Sequence, residues 1–379
     1  MTGPRMKYMG SKRAMLRNGL GHLLDEEAPK HKRFIDLFTG SGSVAGHVAV
    51  RNAIPVIAYD LQEYSVAVVG AIVARTRPLD ADTLWKTWLE AAEPLVHDVQ
   101  PPVGPWDSEK SVYAAREWCA AQLMLPITRA YGGHYFSPLQ AVWIDALRAT
   151  IPTAEPQRSV ALAALVHAAS QCVAAPGHTA QPFQPSTTAL PYLREAWNRS
   201  VAAKTSESLN RVSAQHALRV GQSCREDANV AAGKLHADDL VFVDPPYSGV
   251  HYSRFYHVLE TITTGECGEV SGSGRYPSAE RRPKSRFSLK TESELAMREL
   301  LRSIWHSGAT AILTFPDHDC SNGLSGDLVR KIASEFFKVT EIGVASKFST
   351  LGGYSEVDKR EKGRAARKSA KELILVLRH

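Results

Sequence analysis

Three short runs along the chain are almost continuously apolar and carry an acid within them or at their end. They are Phe34-Ile35-Asp36-Leu37-Phe38, Pro55-Val56-Ile57-Ala58-Tyr59-Asp60 and Leu240-Val241-Phe242-Val243-Asp244. None alternates apolar with polar, so they predict strands buried on both faces, as in a parallel sheet covered by helices. Thr310–Phe315, Val339–Ala345 and Glu372–Leu377 predict three further strands near the C-terminus. Helical spacing appears through Met15, Leu16 and Leu20, through Trp85, Trp88 and Leu89, and through Tyr113, Trp118 and Leu123. Ser137-Pro138, an N-cap with proline at the first helical position, leads into Val142, Ala146 and Leu147, and an alanine-rich helix is expected over Ala161–Ala174. Tyr252, Phe255, Tyr256 and Leu259 repeat at helical spacing, read as a helix packed on the sheet or as a flap over a substrate. Thr291-Glu292-Ser293-Glu294 predicts a capping box opening a helix that stops before Gly308, and Leu328–Phe337 predicts another. The pattern is α/β, with strands at both ends and a helical stretch with proline-punctuated loops, from Arg75 to Leu218, inserted between them.

At 379 residues the chain is long enough for two domains, and 44% hydrophobic with 22% charged residues is an ordinary soluble balance. No run is long and apolar enough to span a bilayer, and Met1-Thr2-Gly3-Pro4-Arg5 lacks the apolar core of a signal peptide, so a cytoplasmic location is expected. The five cysteines are scattered with no CxxC or Cys/His cluster, which argues against a disulfide framework and a structural metal. The formal charge of +6 says less than its placement. Between Arg275 and Lys290, Arg275, Arg281, Arg282, Lys284, Arg286 and Lys290 face only Glu280, and a second basic run covers Lys359–Lys368. Each reads either as a solvated loop or as a phosphate-contacting one.

Candidate chemistry collects at strand ends. Two prolines after Asp244 fix φ and donate no N–H, so Asp244-Pro245-Pro246 offers a carboxylate and carbonyls on a stiff path, an acceptor-only cradle. An exocyclic amine conjugated to a heteroaromatic ring is a poor nucleophile because its lone pair is delocalised. Held through both hydrogens by Asp244 and the Pro245 carbonyl, it can pyramidalise, and the positive charge it develops is stabilised where it appears. Tyr247 adds a flat face for stacking a base. Upstream, Thr39-Gly40-Ser41-Gly42-Ser43 turns from a strand into a helix, and Asp60, 18 residues after Gly42, suits ribose hydroxyls. These features specify a nucleoside-bearing cofactor, and fit a methyl donor or a dinucleotide equally.

The order of motifs resembles the DNA adenine methylase family, the S-adenosylmethionine-dependent N6-adenine DNA methyltransferases of the alpha group. An N-terminal Lys-aromatic-x-Gly-x-Lys segment, Lys7-Tyr8-Met9-Gly10-Ser11-Lys12, precedes Phe38-Thr39-Gly40-Ser41-Gly42, then an insertion, then Asp244-Pro245-Pro246-Tyr247. The resemblance implies a Rossmann-like class I methyltransferase sheet, mostly parallel with an antiparallel C-terminal strand. It also implies a catalytic domain over residues 1–75 and 219–379 and a helical target-recognition insertion over 76–218. It places Tyr8, Gly10 and Lys12 at the methionine end of S-adenosylmethionine, Asp36, Phe38, Gly40 and Gly42 beneath it, Asp60 on its ribose and Asp227 on its adenine. Asp244, Pro245, Pro246 and Tyr247 would be catalytic, without a metal. Double-stranded DNA would be the partner, held with the help of Tyr252, Arg254, Arg281, Arg282 and Lys284, and the protein would be nucleoid-associated. An RNA adenine methyltransferase, a dinucleotide-dependent oxidoreductase and a non-catalytic DNA-binding module are the competing expectations. The insertion and the Arg275–Lys290 loop are longer than in the smaller family members, so no recognition sequence is inherited.

Overall fold

The computed structural model describes Tyr8, residues 10–346 and residues 370–379. The basic run Lys359–Lys368 and Leu351-Gly352-Gly353-Tyr354 lie outside the described residues, as do Lys7 and Met9. Backbone contacts divide the chain into two compact units. One comprises Met9–Leu61, Ala217–Tyr252 and Lys284–His379; the other comprises Met1–Tyr8, Gln62–His216 and Ser253–Pro283.

The first unit is built on seven strands: β1 (Arg33–Asp36), β2 (Val56–Asp60), β3 (Gln222–Arg225), β4 (Asp239–Val243), β7 (Thr310–Pro316), β8 (Lys338–Ser346) and β9 (Ala370–Arg378). Their order in the sheet is β3-β2-β1-β4-β7-β9-β8. All pairings among β3, β2, β1, β4 and β7 are parallel, while β9 runs antiparallel to both of its neighbours, β7 and β8. This is the class I methyltransferase sheet. Chain order reverses between β1 and β4, and open α/β sheets bind ligands beyond the C-terminal ends of strands at such a reversal. Asp36 ends β1 and Asp244 follows β4 directly.

The apolar runs become strands because helices cover the sheet. Every residue of β4 is buried. Ile35, Val241, Val243, Ala311, Leu313 and Leu375 share one core with Met297, Leu300 and Ile304 of the helix Ser293–Ser307, and with Val329 and Ile332 of Gly326–Ser334. Three expectations change here. The Thr291–Glu294 capping box does not form: Glu292 is the N-cap without a side-chain bond, and Ser293 Oγ instead donates to the Asn322 carbonyl at 2.8 Å. The helix expected over Leu328–Phe337 runs Gly326–Ser334, capped by Ser325. The N-terminal helix is broken at Asn18 and Gly19, where φ departs from helical values.

The second unit is helical apart from the short hairpin of β5 (Val270–Ser271) and β6 (Tyr276–Pro277). At its centre lies the helix Gln157–Cys172, whose residues 160–170 are all buried, as a helix without a polar face must be. It packs against Val201–Ala214 and Glu63–Val73, which is why residues 62–75 group with these helices. Trp88, Tyr131 and Tyr135 are buried core residues; Trp88 Nε1 donates to the Leu147 carbonyl at 2.9 Å. Ser137 forms a full capping box with Gln140. The expected face of Tyr113, Trp118 and Leu123 is corrected: the helix Glu109–Ala120 ends before Leu123 and buries Val112, Ala115 and Cys119, leaving Tyr113 and Leu123 exposed. Val112 and Ala115 meet the Trp106–Trp197 pair, and that cluster selects the buried face.

Candidate active site

The Gly loop takes the backbone that its glycines permit. Gly40 and Gly42 have φ of +52° and +70°, a region that side chains with a Cβ rarely enter. Gly42 is the N-cap of Ser43–Arg51 and supplies no side-chain acceptor; within the first turn the Ala45 N–H is taken by the Asp36 carboxylate. Asp60 Oδ2 accepts the Gly40 N–H at 2.8 Å, so this acid fixes the loop through one oxygen. Phe38 packs edge-on against Phe287 at 5.1 Å between centroids. Asp227 caps the helix Ala228–Ala232 by accepting the Asn229 N–H at 2.9 Å.

Asp36 is 1% exposed and accepts the Phe38 N–H at 3.2 Å. Burial, with the nearby charges of Asp244 and Asp60, moves its pKa from the usual 3.8 up to about 8, against the amide hydrogen bonds from Phe38 and Ala45. The folded protein therefore binds a proton here that the unfolded chain has released. This contribution to stability is full below the ordinary carboxylate value and is lost as pH rises through about 8. Melting curves across that interval should show a flatter pH dependence for Asp36→Asn than for the unchanged chain; parallel curves would contradict the assignment.

At the end of β4, Asp244 is held through one oxygen. Thr314 Oγ1 donates to its Oδ1 at 2.8 Å, and the Lys12 ammonium lies 3.0 Å from the same atom. The Lys12 side chain is 4% exposed and also contacts Glu372 Oε2 at 2.9 Å. Burial raises the Asp244 pKa and Glu372 pushes the same way, opposed by Lys12 and Thr314. The Pro246 carbonyl accepts from Asn322 Nδ2 at 3.0 Å, and the same nitrogen donates to the Phe287 carbonyl at 2.9 Å, tying the two loops together. Tyr247 meets the ring of Tyr252 edge-on, 6.4 Å between centroids. Gly10, at φ +77°, leaves room for Tyr247: a Cβ there would stand 3.2 Å from its Oη.

A sequence model of the D12 class N6 adenine-specific DNA methyltransferases matches residues 8–97 and 153–314. The chain belongs to that family. Among curated proteins it is 38% identical over 77 residues to the type II methyltransferase M.FokI of Planomicrobium okeanokoites, and 33% identical over 79 residues to the modification methylase StsI of Streptococcus sanguinis. Those stretches cover 20% and 21% of this chain but 11% and 12% of the two relatives, so the chain matches about a ninth of their length.

Set against the D12 class pattern, the expected site residues separate. Asp36, Phe38, Gly40, Gly42 and Asp60 gather at the C-terminal ends of β1 and β2, in the same unit as the Asp244–Tyr247 motif, Gly10 and Lys12. Lys12 and Gly10, expected at the cofactor, lie against Asp244 and Tyr247. Tyr8 falls in the helical unit, where its ring stacks on Tyr256 at 4.7 Å. Arg254 is exposed and sits 4.5 Å over the ring of Tyr276, with Arg282 at 5.7 Å. Arg281 and Lys284 are exposed. Arg275 and Arg286, counted with the basic loop, are engaged by protein: Arg275 donates to the Ala130 and Arg129 carbonyls, and Arg286 pairs with Glu299 at 2.6 Å and with Glu292 at 3.3 Å. Thr314, Asn322 and Glu372 carry no mark in the sequence. Each contacts Asp244, Lys12 or the Pro246 carbonyl from a segment far along the chain, with no local motif to single it out.

Among the described residues no group of three or more His, Cys, Asp or Glu is arranged to hold a metal, and no helix is long and apolar enough to cross a membrane.

Proposed function

We propose that this protein is a site-specific DNA methyltransferase that methylates the N6 amine of adenine with S-adenosylmethionine. The observation that carries the reading is the half-buried Asp244 carboxylate, pinned through Oδ1 at a strand end and followed by a proline-stiffened acceptor path. The site suits this cofactor by its chemistry: the Gly40–Gly42 loop, tied to the Asp60 carboxylate through the Gly40 N–H, gives close backbone approach to a nucleoside. Gly40, Gly42, Asp36, Phe38 and Asp60 would hold it, with Asp227 at its adenine. When bound, it supplies a methyl group activated by a positively charged sulfur.

The chain's own work is on the amine. Asp244 and the Pro245 carbonyl accept its two hydrogens, which frees the nitrogen lone pair and meets the charge that develops there. Tyr247 stacks on the flipped ring, offsetting part of the few kcal/mol that extrusion from the duplex costs. With the methyl group that the cofactor would supply, the amine nitrogen would gain a bond to carbon as the carbon–sulfur pair leaves on sulfur, and the surplus proton would pass to the accepting Asp244 carboxylate and on to solvent.

The helical unit, with residues 253–283, is read as the target-recognition part, and double-stranded DNA as the partner. Neutralising Arg281, Arg282 and Lys284 together should weaken duplex binding and flatten its salt dependence by about 0.9 in log–log slope for each phosphate no longer neutralised. An unchanged slope would make them solvated surface only. The function itself is tested by labelled methyl transfer to matched DNA and RNA, with long-read sequencing of DNA from expressing cells to report base and motif. Methylation of RNA alone would overturn the DNA reading, and tight dinucleotide binding without S-adenosylmethionine binding would overturn the whole assignment.

A further inference from the structure

We propose that Lys12 and Glu372 are positioning residues for Asp244, a pair that fixes which carboxylate oxygen meets the target amine. The inference rests on the methyl-transfer reading above.

Geometry comes first. Thr314 Oγ1 and Lys12 Nζ both address Oδ1 of Asp244, at 2.8 and 3.0 Å. With one oxygen engaged by two donors, the carboxylate has a fixed rotation, and Oδ2 is the oxygen presented to the amine. A carboxylate rotating freely would spend part of its time misaligned, and small misplacement at a reacting centre is costly in rate.

Charge supplies the second part. Lys12 alone would neutralise Asp244 and set a positive charge beside a nitrogen that is itself becoming positive. Glu372 Oε2, 2.9 Å from Nζ, shares the ammonium. The three groups together carry one net negative charge, so Asp244 is held in place and still attracts the developing cation. Burial alone would lower the Lys12 pKa, but Asp244 and Glu372 outweigh it and keep the amine protonated. Without Lys12, burial and Glu372 would both favour a neutral Asp244, whose hydroxyl would donate where the amine needs an acceptor.

The sheet builds this arrangement. Glu372 opens the paired part of β9 opposite Pro316 of β7, and Thr314 lies two residues back on β7, opposite Ile374. Glu372 lies beyond residues 8–97 and 153–314, the segments shared with the D12 class pattern.

The test uses the full chain, S-adenosylmethionine and unmethylated genomic DNA. Turnover is read at saturating cofactor, cofactor affinity by calorimetry, and folding by thermal melting. Lys12→Met should lower kcat by at least about 10²-fold, and Glu372→Gln by about tenfold, the usual scale for a supporting partner. Cofactor affinity should change little in either, and Lys12→Arg should recover part of the loss. Because the two act as a unit, the double variant should be no slower than Lys12→Met alone. A Lys12→Met protein that binds cofactor weakly yet keeps its kcat would assign Lys12 to the cofactor and overturn the proposal, as would fully additive losses. If Lys12→Met fails to fold, Glu372→Gln and Lys12→Arg decide, and unchanged kcat in both refutes the role. An inactive unchanged chain would sink the DNA-methylation reading itself, whereas an active one with indifferent variants sinks only the positioning.

Discussion

Asp244→Ala is expected to lower the kcat of adenine methylation by at least about 10²-fold, the scale of removing a preorganised partner of the transition state. The variant should stay folded, because Lys12 keeps its contact with Glu372, and the residue removed is one acceptor among strands packed by other side chains. Cofactor affinity should persist, since the Gly40–Gly42 loop and its tie to Asp60 do not run through Asp244. Asp244→Asn should lose about as much as the alanine variant: Thr314 and Lys12 would hold its only amide oxygen in place of Oδ1, leaving the Nδ2 group, a donor, where the amine needs an acceptor. Single-turnover kinetics at saturating cofactor measures both losses. Near-normal turnover in Asp244→Ala would remove the motif from the chemistry.

Gly42→Val is the second large effect. The φ of +70° at Gly42 lies in the left-handed region, which costs a residue with a Cβ about 1–2 kcal/mol and a β-branched residue more. The chain can relieve this only by reshaping the turn that starts the helix Ser43–Arg51, where Gly42 N–H donates to the Thr39 carbonyl at 2.9 Å. A lower melting temperature and a loss of cofactor affinity of about tenfold, or ~1.4 kcal/mol, are expected together. Calorimetry showing unchanged affinity would place the cofactor elsewhere.

The central strands were readable from the sequence because burial on both faces leaves an uninterrupted apolar run, as in Leu240–Val243. β3 was not, for the opposite reason: Gln222–Arg225 forms the sheet edge, where its residues are exposed or half-buried, and nothing apolar marks it. The acid and prolines of the catalytic motif declare themselves as neighbours in sequence. Their supports do not: Thr314, Asn322, Glu372 and Lys12 arrive from separate segments through strand pairing and loop closure, and only three dimensions make them neighbours. The basic stretch from Arg275 to Lys290 shows a further limit. Charge counting treats its arginines alike, yet Arg275 turns inward to cap carbonyls at Ala130 and Arg129, and Arg286 is taken up by Glu299 and Glu292.

The pairing of β9 leaves the position of Glu372 no latitude in chain length. Glu372 is fixed opposite Pro316 on one side and Val344 on the other. Side chains alternate faces along a strand, so one residue gained or lost between Glu372 and the paired body of β9 would turn its carboxylate to the far side of the sheet. A single-residue length change there should therefore slow the enzyme while the strand itself stays paired.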